Sequence, residues 1–477
     1  MLGLFGTLNM ASRAMQTQMT GVEVSGQNLA NVNTKGYSRQ QVNITTSPDL
    51  VTSIGDEGTG ADATSITQLV SNLLNSQIQS QGSTSGYWTA QQTALQGAQD
   101  SLNEYLNGSS TSSTSATSTS STDTNGTGLS SQLNSFFAAF SALASAGSDS
   151  NKQAAVSAGQ NLATTFNNIS SQFSGLRSSL NSSLTGDVTS ANKLLTDIAS
   201  LNGEISTTTA GGGNANDLLD EREQDLENLS QLTNITTSSG TNGTVNVTIG
   251  GQSLVTGNSL NDTLQTYDAG SGNLLVQTAS GTSLTLTGGS MQGTIDARDG
   301  TLTSMQTSIN TLANTLINQV NTIHDSGYNS TGGTGNSFFT GTDASTIGVN
   351  STLANNASLV QISSSASASG DTSLALQIAN LASSSQAALN NGTFTQDYNT
   401  TVAGLGNALS TANTQVTDQT AVSNMLSTQR SSVSGVNVDE EMTNLMSYQR
   451  AYQASAQVVT TVNSMMGDVL GMTGTTA

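Results

Sequence analysis

Apolar residues spaced seven apart form a stripe near each end of the chain. The N-terminal stripe consists of Leu8, Met15, Val22 and Leu29. The C-terminal stripe consists of Val438, Leu445, Tyr452, Val459 and Met466. A spacing of seven residues places each set along one face of a helix, as in the seam of a coiled coil. The pattern therefore predicts a helix at each end of the chain, each with one apolar face.

Two interpretations of these stripes are open. Each helix could be an ordinary amphipathic helix that packs on some core of the protein. Alternatively, the two helices could pair with each other as a coiled coil and contact neighbouring molecules. Both stripes lie at the extreme termini with little else nearby to cover them, which favours the second interpretation.

Helical spacing also fills most of the middle of the chain. It extends over residues 65–106, over 129–232 with an interruption at a Gly triplet, over 302–323, and from about 370 to the C-terminus. Between the first two segments, residues 107–128 form a Ser/Thr tract. Such a tract cannot bury a core, so we predict a loop there.

A period of two replaces the helical period in one region. Residues 245–249 alternate apolar with polar side chains, a Gly-Gly turn follows, and Leu254 and Val255 continue the apolar pattern. Leu284 and Leu286 give a second, shorter alternation. These features predict a small β domain.

Together the patterns predict a mainly α fold with a β insertion. Helical segments precede and follow the β segment, so the chain should run outward to the β domain and back. Both termini should then lie at one end of an elongated molecule. We predict three domains: a terminal coiled-coil domain (1–60 plus 430–477), a rod-like helical core domain (61–235 plus 295–429) and a small outer β domain (236–294).

The charge balance excludes some partners. The chain has 477 residues with 10 Lys and Arg against 31 Asp and Glu, a net charge of −21. No Lys or Arg occurs between Arg39 and Lys152, or between Arg298 and Arg430. Nucleic acids and anionic membranes bind clustered cations, so we expect neither as a partner.

Targeting and redox signals are sparse. There is no Cys, which excludes disulfides, zinc–thiolate sites and Cys nucleophiles. The N-terminus lacks the basic region of a cleaved secretory signal, and no segment has the length and hydropathy of a membrane span. A protein of this kind that leaves the cell is expected to use another route.

Candidate chemistry is weak. The single histidine, His324, ends a predicted helix, where it most simply meets the last carbonyl groups. The acidic run at 216–229 has the leucine spacing of a solvated helix rather than that of a cation site. Phosphate-loop, metalloprotease and nucleophile-elbow motifs are absent. We therefore predict no catalytic, metal or cofactor site, and a protein that is not an enzyme.

Both termini resemble the flagellar rod, hook and hook-associated family. In that family an N-terminal heptad helix leads into an Asn-rich segment that ends in Thr-x-Gly-Tyr or Thr-x-Gly-Phe, as in QNLANVNTKGYSRQ at 27–40. The C-terminal counterpart is SGVNVDEEMTNLMSYQRAYQASAQVVTTVNSMM, from Ser434 to Met466. In the interior, blocks at 216–232, 249–257, 288–302 and 318–341 appear in an order similar to that of members at the hook–filament junction.

The resemblance implies a structural component of the bacterial flagellum, secreted through the flagellar type III export pathway to the cell exterior. It implies assembly through a coiled-coil inner tube into a ring of copies, with hook subunits below and a second hook–filament junction protein above. Before export, a flagellar chaperone would bind the C-terminal helix. The alternatives are another axial component, such as a hook subunit, and an extracellular adhesin.

The segment after the N-terminal stripe is predicted to be a hinge without a ligand. Asn33 and Gly36 are suited to ending the helix, because Asn competes for backbone hydrogen bonds and Gly tolerates a left-handed exit. Tyr37 and Arg39 would begin the connection from the terminal helices to the outer domains.

Overall fold

The computed structural model describes residues 3–52, 55–102, 128–368 and 370–473, which form eleven α-helices and twelve strands. The helices are α1 Leu4–Ala30, α2 Asn72–Leu102, α3 Leu129–Ser145, α4 Asp149–Ala210, α5 Asn216–Leu232, α6 Gly289–Asp296, α7 Thr303–His324, α8 Ser351–Asn355, α9 Ser373–Asn380, α10 Phe394–Ser434 and α11 Val438–Thr473. The strands are β1 Gln40–Thr46, β2 Leu50–Thr52, β3 Gly55–Glu57, β4 Ala61–Gln68, β5 Ile235–Ser239, β6 Val245–Ile249, β7 Gln252–Thr256, β8 Ser259–Leu260, β9 Leu264–Asp268, β10 Leu274–Thr278, β11 Phe339–Thr340 and β12 Gly348–Val349.

The prediction of a mainly α fold with a β insertion is confirmed. The break at the Gly triplet separates α4 from α5, and α7 covers the predicted helix at 302–323. Except for Gly128, the Ser/Thr tract at 107–128 lies outside the described residues.

Helix α4 is the spine of the molecule. Its 62 residues correspond to a length of about 90 Å at 1.5 Å per residue. Ser148 caps its start, since the side-chain hydroxyl accepts a hydrogen bond from the N–H of Asn151. The two halves of α4 pack against different cores, so one helix connects the helical core with the β unit.

The larger core lies among α2, α3, the first half of α4, α7, α9 and α10. Eight of the nine phenylalanines are buried in it. Phe136, Phe140 and Phe338 have ring centroids 5.0 to 5.8 Å apart, within the range of favourable aromatic pairs. The sequence thus concentrates its scarce ring systems at one place.

The β unit packs along the second half of α4. Strands β5 to β8 form an antiparallel meander in sequence order, and β9 pairs with β10. Asn202 of α4 donates from Nδ2 to the carbonyls of Val245 and Gly257, each at 2.7 Å. Asn192 accepts from the N–H of Leu264 at 2.7 Å and donates to its carbonyl at 2.8 Å. The unit is therefore fastened to the spine by amide side chains as well as by apolar contacts.

Two local predictions differ from the structure. Leu284 and Leu286 do not form a strand; the segment makes one isolated bridge, Gln277 to Ser283, and both leucines pack on the β-unit core. Ile66, predicted to be helical, lies in β4. Strands β1 and β4 form an antiparallel ribbon from Gln40–Gln68 to Thr46–Ala61. Among their Gln, Asn, Ser and Thr residues the only large apolar ones are Val42, Ile44 and Ile66, an alternation too short to predict the ribbon.

His324 is buried, and its contact differs from the predicted one. Its side chain is 0% exposed at the end of α7, and Nε2 accepts a hydrogen bond from the N–H of Gln361 at 3.0 Å. The ring lies edge-on to Phe338. Burial lowers the pKa of His324 to about 4. It is thus a neutral core residue that fixes the loop before α9.

This burial predicts an acid-dependent loss of stability. The folded-state pKa of His324 is about 4 against an ordinary 6.5, so its contribution is fully present above pH 6.5 and is lost as pH falls towards 4. The difference corresponds to about 3 kcal/mol of unfolding free energy. Urea unfolding across this range should show that loss in the native chain. In His324→Gln, which keeps an acceptor but cannot be charged, this part of the pH dependence should disappear; identical pH slopes would contradict the assignment.

Candidate functional site: the terminal helix pair and its joint

The N- and C-terminal helices pack against each other along their length. We call α1 and α11 the terminal pair. Helix α1 also contacts the ribbon of β1 and β4. Thr17 marks the ribbon side, because its hydroxyl donates to the carbonyl of Ala61 at 3.0 Å. The pairing of the termini that the sequence predicts is therefore present within one chain.

The seam of the terminal pair uses small residues rather than large apolar ones. The buried residues of α1 are Ala11, Thr17, Gly21, Val24, Ser25 and Asn28, of which Thr17 and Asn28 bond the ribbon. A Cβ atom added at Gly21 would lie 2.7 Å from the ring of Tyr448, closer than real contacts allow. On α11, Val462 is 5% exposed and Glu441 is 2% exposed. Tyr448 lies fourteen residues, or two heptads, before Val462, so these two seam positions differ in register from the predicted stripe.

The residues of the predicted stripes flank this seam. The side chains of Leu8, Met15, Val22 and Leu29 are half-buried on α1. On α11, Leu445, Val459 and Met466 are half-buried, whereas Val438 and Tyr452 are exposed by 40% and 39%. The stripes are thus only partly covered inside one chain. Their role in assembly stays a prediction.

A hydrogen-bonded joint follows α1. Asn28 is 1% exposed and pairs with the backbone of Gln40: Oδ1 accepts from its N–H at 2.9 Å and Nδ2 donates to its carbonyl at 2.8 Å. The hydroxyl of Tyr37 donates to the same Oδ1 at 2.9 Å. Burial, with the nearby Asp217 and Asp220, raises the pKa of the Tyr37 phenol. The amide of Asn28 thereby acts like a neighbouring strand and holds the start of the ribbon against the end of α1.

Arg39 connects this segment to the start of α11. Its Nε donates to Glu441 at 2.7 Å and its Nη2 to Glu440 at 2.8 Å. The hydrogen bond from Arg39 lowers the pKa of Glu440. The N–H of Arg39 also donates to the carbonyl of Ser434 at 2.8 Å. One residue therefore binds the C-terminal region by both its backbone and its side chain.

The acidic helix α5 forms hydrogen bonds with the other side of the joint. Asp220 accepts from the N–H of Ser38 at 2.8 Å, and Asp217 accepts from Nε2 of Gln40 at 3.0 Å. Burial raises the pKa of Asp220, which the bond from Ser38 partly offsets. Near the other end of α5, Glu227 forms an ion pair with Arg430 of α10. The acidic run is helical as predicted, but its carboxylates are docking groups and not only a solvated face.

The predicted hinge residues divide into two groups. Tyr37 and Arg39 make the contacts just described, and Gly36 has a positive φ of +84° with Gln224 close by. Asn33 is exposed in the turn after α1. Sequence reasoning missed Asn28 and Gln40, because their function depends on a pairing that no local pattern shows. The mechanical role of this segment as a hinge stays a prediction.

Other site types find no support in the described parts of the chain. No cluster of three His, Asp or Glu side chains suited to a metal ion occurs there. None of the described helices combines the length and hydropathy needed to cross a bilayer.

Comparison with known proteins finds similarity to flagellar hook-associated proteins. The sequence profile of the flagellar hook-associated protein FlgK helical domain matches residues 114–339, and that of the flagellar basal body rod FlgEFG protein C-terminal matches 427–472. The flagellar hook-associated protein 1 of Bacillus subtilis (strain 168) is 27% identical over 99% of both chains. The protein of the same name from Escherichia coli (strain K12) is 22% identical over 98% of this chain and 99% of its own. Together these matches support a FlgK identity for the chain.

A solved structure agrees at the level of the fold. The flagellar hook junction protein FlgK from Burkholderia pseudomallei superposes with a TM-score of 0.61 and 18% identity, covering 76% of this chain and all of that one. Members of this family are structural flagellar proteins, and this chain is a component of the bacterial flagellum. The hook-associated relatives match nearly the full length of this chain. The alternatives, a hook subunit or an adhesin, are therefore not favoured.

Gly21 offers a sharp test of the seam. Ala is a better helix former than Gly, so Gly26→Ala, where a Cβ meets nothing within 4 Å, should stabilise α1 by about 0.5–1 kcal/mol. Gly21→Ala should instead destabilise the pair by about 1–3 kcal/mol, because the new Cβ overlaps the Tyr448 ring. Amide hydrogen exchange in α1 and α11 measures both effects. Equal stabilisation by the two substitutions would contradict the close packing.

The joint predicts a non-additive pair of substitutions. Arg39→Gln leaves the buried carboxylate of Glu441 without its cation and should cost about 2–4 kcal/mol of local stability. Glu441→Gln in the same chain should recover most of that loss, because an amide tolerates burial better than an unpaired charge. Limited proteolysis between Asn31 and Ser38 measures the opening of the joint. Additive losses in the double variant would disprove the coupling.

Proposed function

We propose that this protein is a structural subunit of the junction between the flagellar hook and filament, and that it enters the flagellum through its terminal pair. The observation that carries the proposal is a helix pair whose apolar surface is left uncovered within the chain. The joint fixes this pair to the rest of the molecule, so a load on the pair reaches the core.

The uncovered surface is most extensive on α11. The large apolar side chains of α11 that are at least 40% exposed are Val438, Met442, Met446, Val458, Met465, Val469, Leu470 and Met472. On α1, Phe5 is 73% exposed although every other phenylalanine is buried. Exposed apolar side chains in this number on one helix mark association sites. Copies of the same chain and the terminal helices of other axial proteins would complete the burial.

Charge also separates the terminal pair from the rest. Helix α1 contains one cation and one anion, Arg13 and Glu23, and α11 after Glu441 contains Arg450 and Asp468. These segments are therefore neutral, since 2 − 2 = 0, in a chain with a net charge of −21. Acidic bodies repel one another at close range. Neutral apolar stretches beyond the acidic start of α11 let many copies approach through their termini while the acidic parts face outward.

The finer features of the proposal concern partners and route. Copies form a ring, with hook subunits on one side and a second hook–filament junction protein on the other. The chain is secreted by the flagellar type III pathway and resides outside the cell. Before export, a chaperone covers the exposed face of α11 in a helix-in-groove mode. No catalytic role is proposed, and His324 is neutral and enclosed.

A pair of variants tests the assembly role. Leu445→Asp with Val459→Asp introduces charge into half-buried positions of α11 and should abolish complementation of a strain that lacks this gene. That strain should carry hooks without filaments and release flagellin into the medium. Leu376→Asp removes a leucine that is 52% exposed on α9 and serves as the control, with filaments retained. Electron microscopy of the cells decides.

Normal filaments with the double variant would remove the terminal pair from assembly. Normal filaments in the deletion strain would overturn the junction role itself. Loss of the hooks as well would indicate a hook subunit instead.

A further inference from the structure

The methionines of this chain are concentrated at the termini. Ten of the twelve lie at positions 1–19 and 425–472. The other two, Met291 and Met305, are 0% and 4% exposed in the cores. Because the chain has no Cys, thioethers are its only sulfur groups. Sulfur chemistry is therefore confined almost entirely to the region of the terminal pair.

Several of these thioethers are open to solvent. On α11, Met442 is 49%, Met446 is 48% and Met465 is 52% exposed. Met442 and Met446 are four residues apart, so they are neighbours on one helix face. All three differ from Tyr448, which packs against Gly21, and from the buried Val462. A change in these side chains can therefore alter the outer surface of α11 without opening the seam.

We propose that Met442, Met446 and Met465 are an oxidation-sensitive part of the assembly surface, so that peroxide acting on the free subunit blocks its incorporation. The proposal rests on the assembly role of the terminal pair and adds a modification site to it. The ligand class is a peroxide oxidant, represented by hydrogen peroxide.

The chemistry is a two-electron oxygen transfer. The sulfur lone pair attacks one peroxide oxygen, an S–O bond forms and the O–O bond breaks. Sulfur is oxidised to the sulfoxide, while the other oxygen is reduced and leaves as water after taking up the proton from the transferred oxygen. The product replaces a flexible apolar group with a polar one, which disrupts methionine-rich interfaces. An apolar contact with the next molecule would then have to desolvate three sulfoxides.

Exposure also gives an internal reference. Peroxide reaches Met291 and Met305 only after unfolding, whereas the three α11 thioethers are accessible in the folded chain. After brief treatment of the full-length protein with hydrogen peroxide, peptide mass spectrometry should find sulfoxide at the α11 positions at least about tenfold faster than at the core positions. Equal rates at both sets would overturn the proposal.

The functional test adds treated protein to cells that carry hooks but lack this gene, and counts restored filaments. Oxidation should reduce the count for the native chain by at least about tenfold, and a methionine sulfoxide reductase should restore it. The test variant carries Met442→Leu, Met446→Leu and Met465→Leu. Its readout is the number of filaments restored by oxidised protein divided by the number restored by untreated protein. This ratio should stay close to one, whatever number the untreated variant restores. The matched control, Met291→Leu with Met305→Leu, should lose as much as the native chain.

The outcomes separate the two proposals. If untreated native protein restores no filaments, the assembly role fails. If untreated protein works and oxidised protein works equally well, or if the triple variant loses as much as the native chain, the oxidation site is wrong.

Discussion

The supply of apolar surface is the constraint on which this structure depends. Only 4% of residues are aromatic, and eight of the nine phenylalanines are buried in one helical core. The terminal pair is left with a few small or single apolar contacts, such as Gly21 against Tyr448 and the burial of Val462. Helices this long gain most of their stability from packing. An under-packed pair at the end of a well-packed rod is suited to an element whose burial is completed by neighbours.

The joint solves a second problem, which is how to fasten such a pair to an acidic body. Asn28 supplies an amide that imitates a strand edge, and Arg39 binds the two carboxylates at the start of α11. Asp217 and Asp220 of α5 accept hydrogen bonds from the other side. Directional polar bonds fix the geometry here without using apolar surface. The same choice recurs where Asn192 and Asn202 hold the β unit to α4.

The sequence predicts the long helices well, because a period near 3.6 persists through segments such as α4 and α7. It also predicts the Gly-Gly hairpin at 250–251, where both glycines have positive φ. The ribbon of β1 and β4 is not predicted, because Val42, Ile44 and Ile66 are its only large apolar residues and give too short an alternation. The sequence also does not predict which residues of α1 and α11 face each other, because the most apolar positions are not the most buried ones. Gly21 and Glu441 are buried only because Tyr448 and Arg39, more than 400 residues away in sequence, supply the matching partners.

Amide hydrogen exchange on the free chain and on the chain in isolated flagella tests this account most directly. In the free chain, amides of α1 and α11 should exchange much faster than those of α4 and α7, since few apolar contacts hold the terminal pair. In flagella, α1 and α11 should become as protected as α4. If α1 and α11 were already as protected as α4 in the free chain, or remained unprotected in flagella, the claim that neighbours complete their burial would be contradicted.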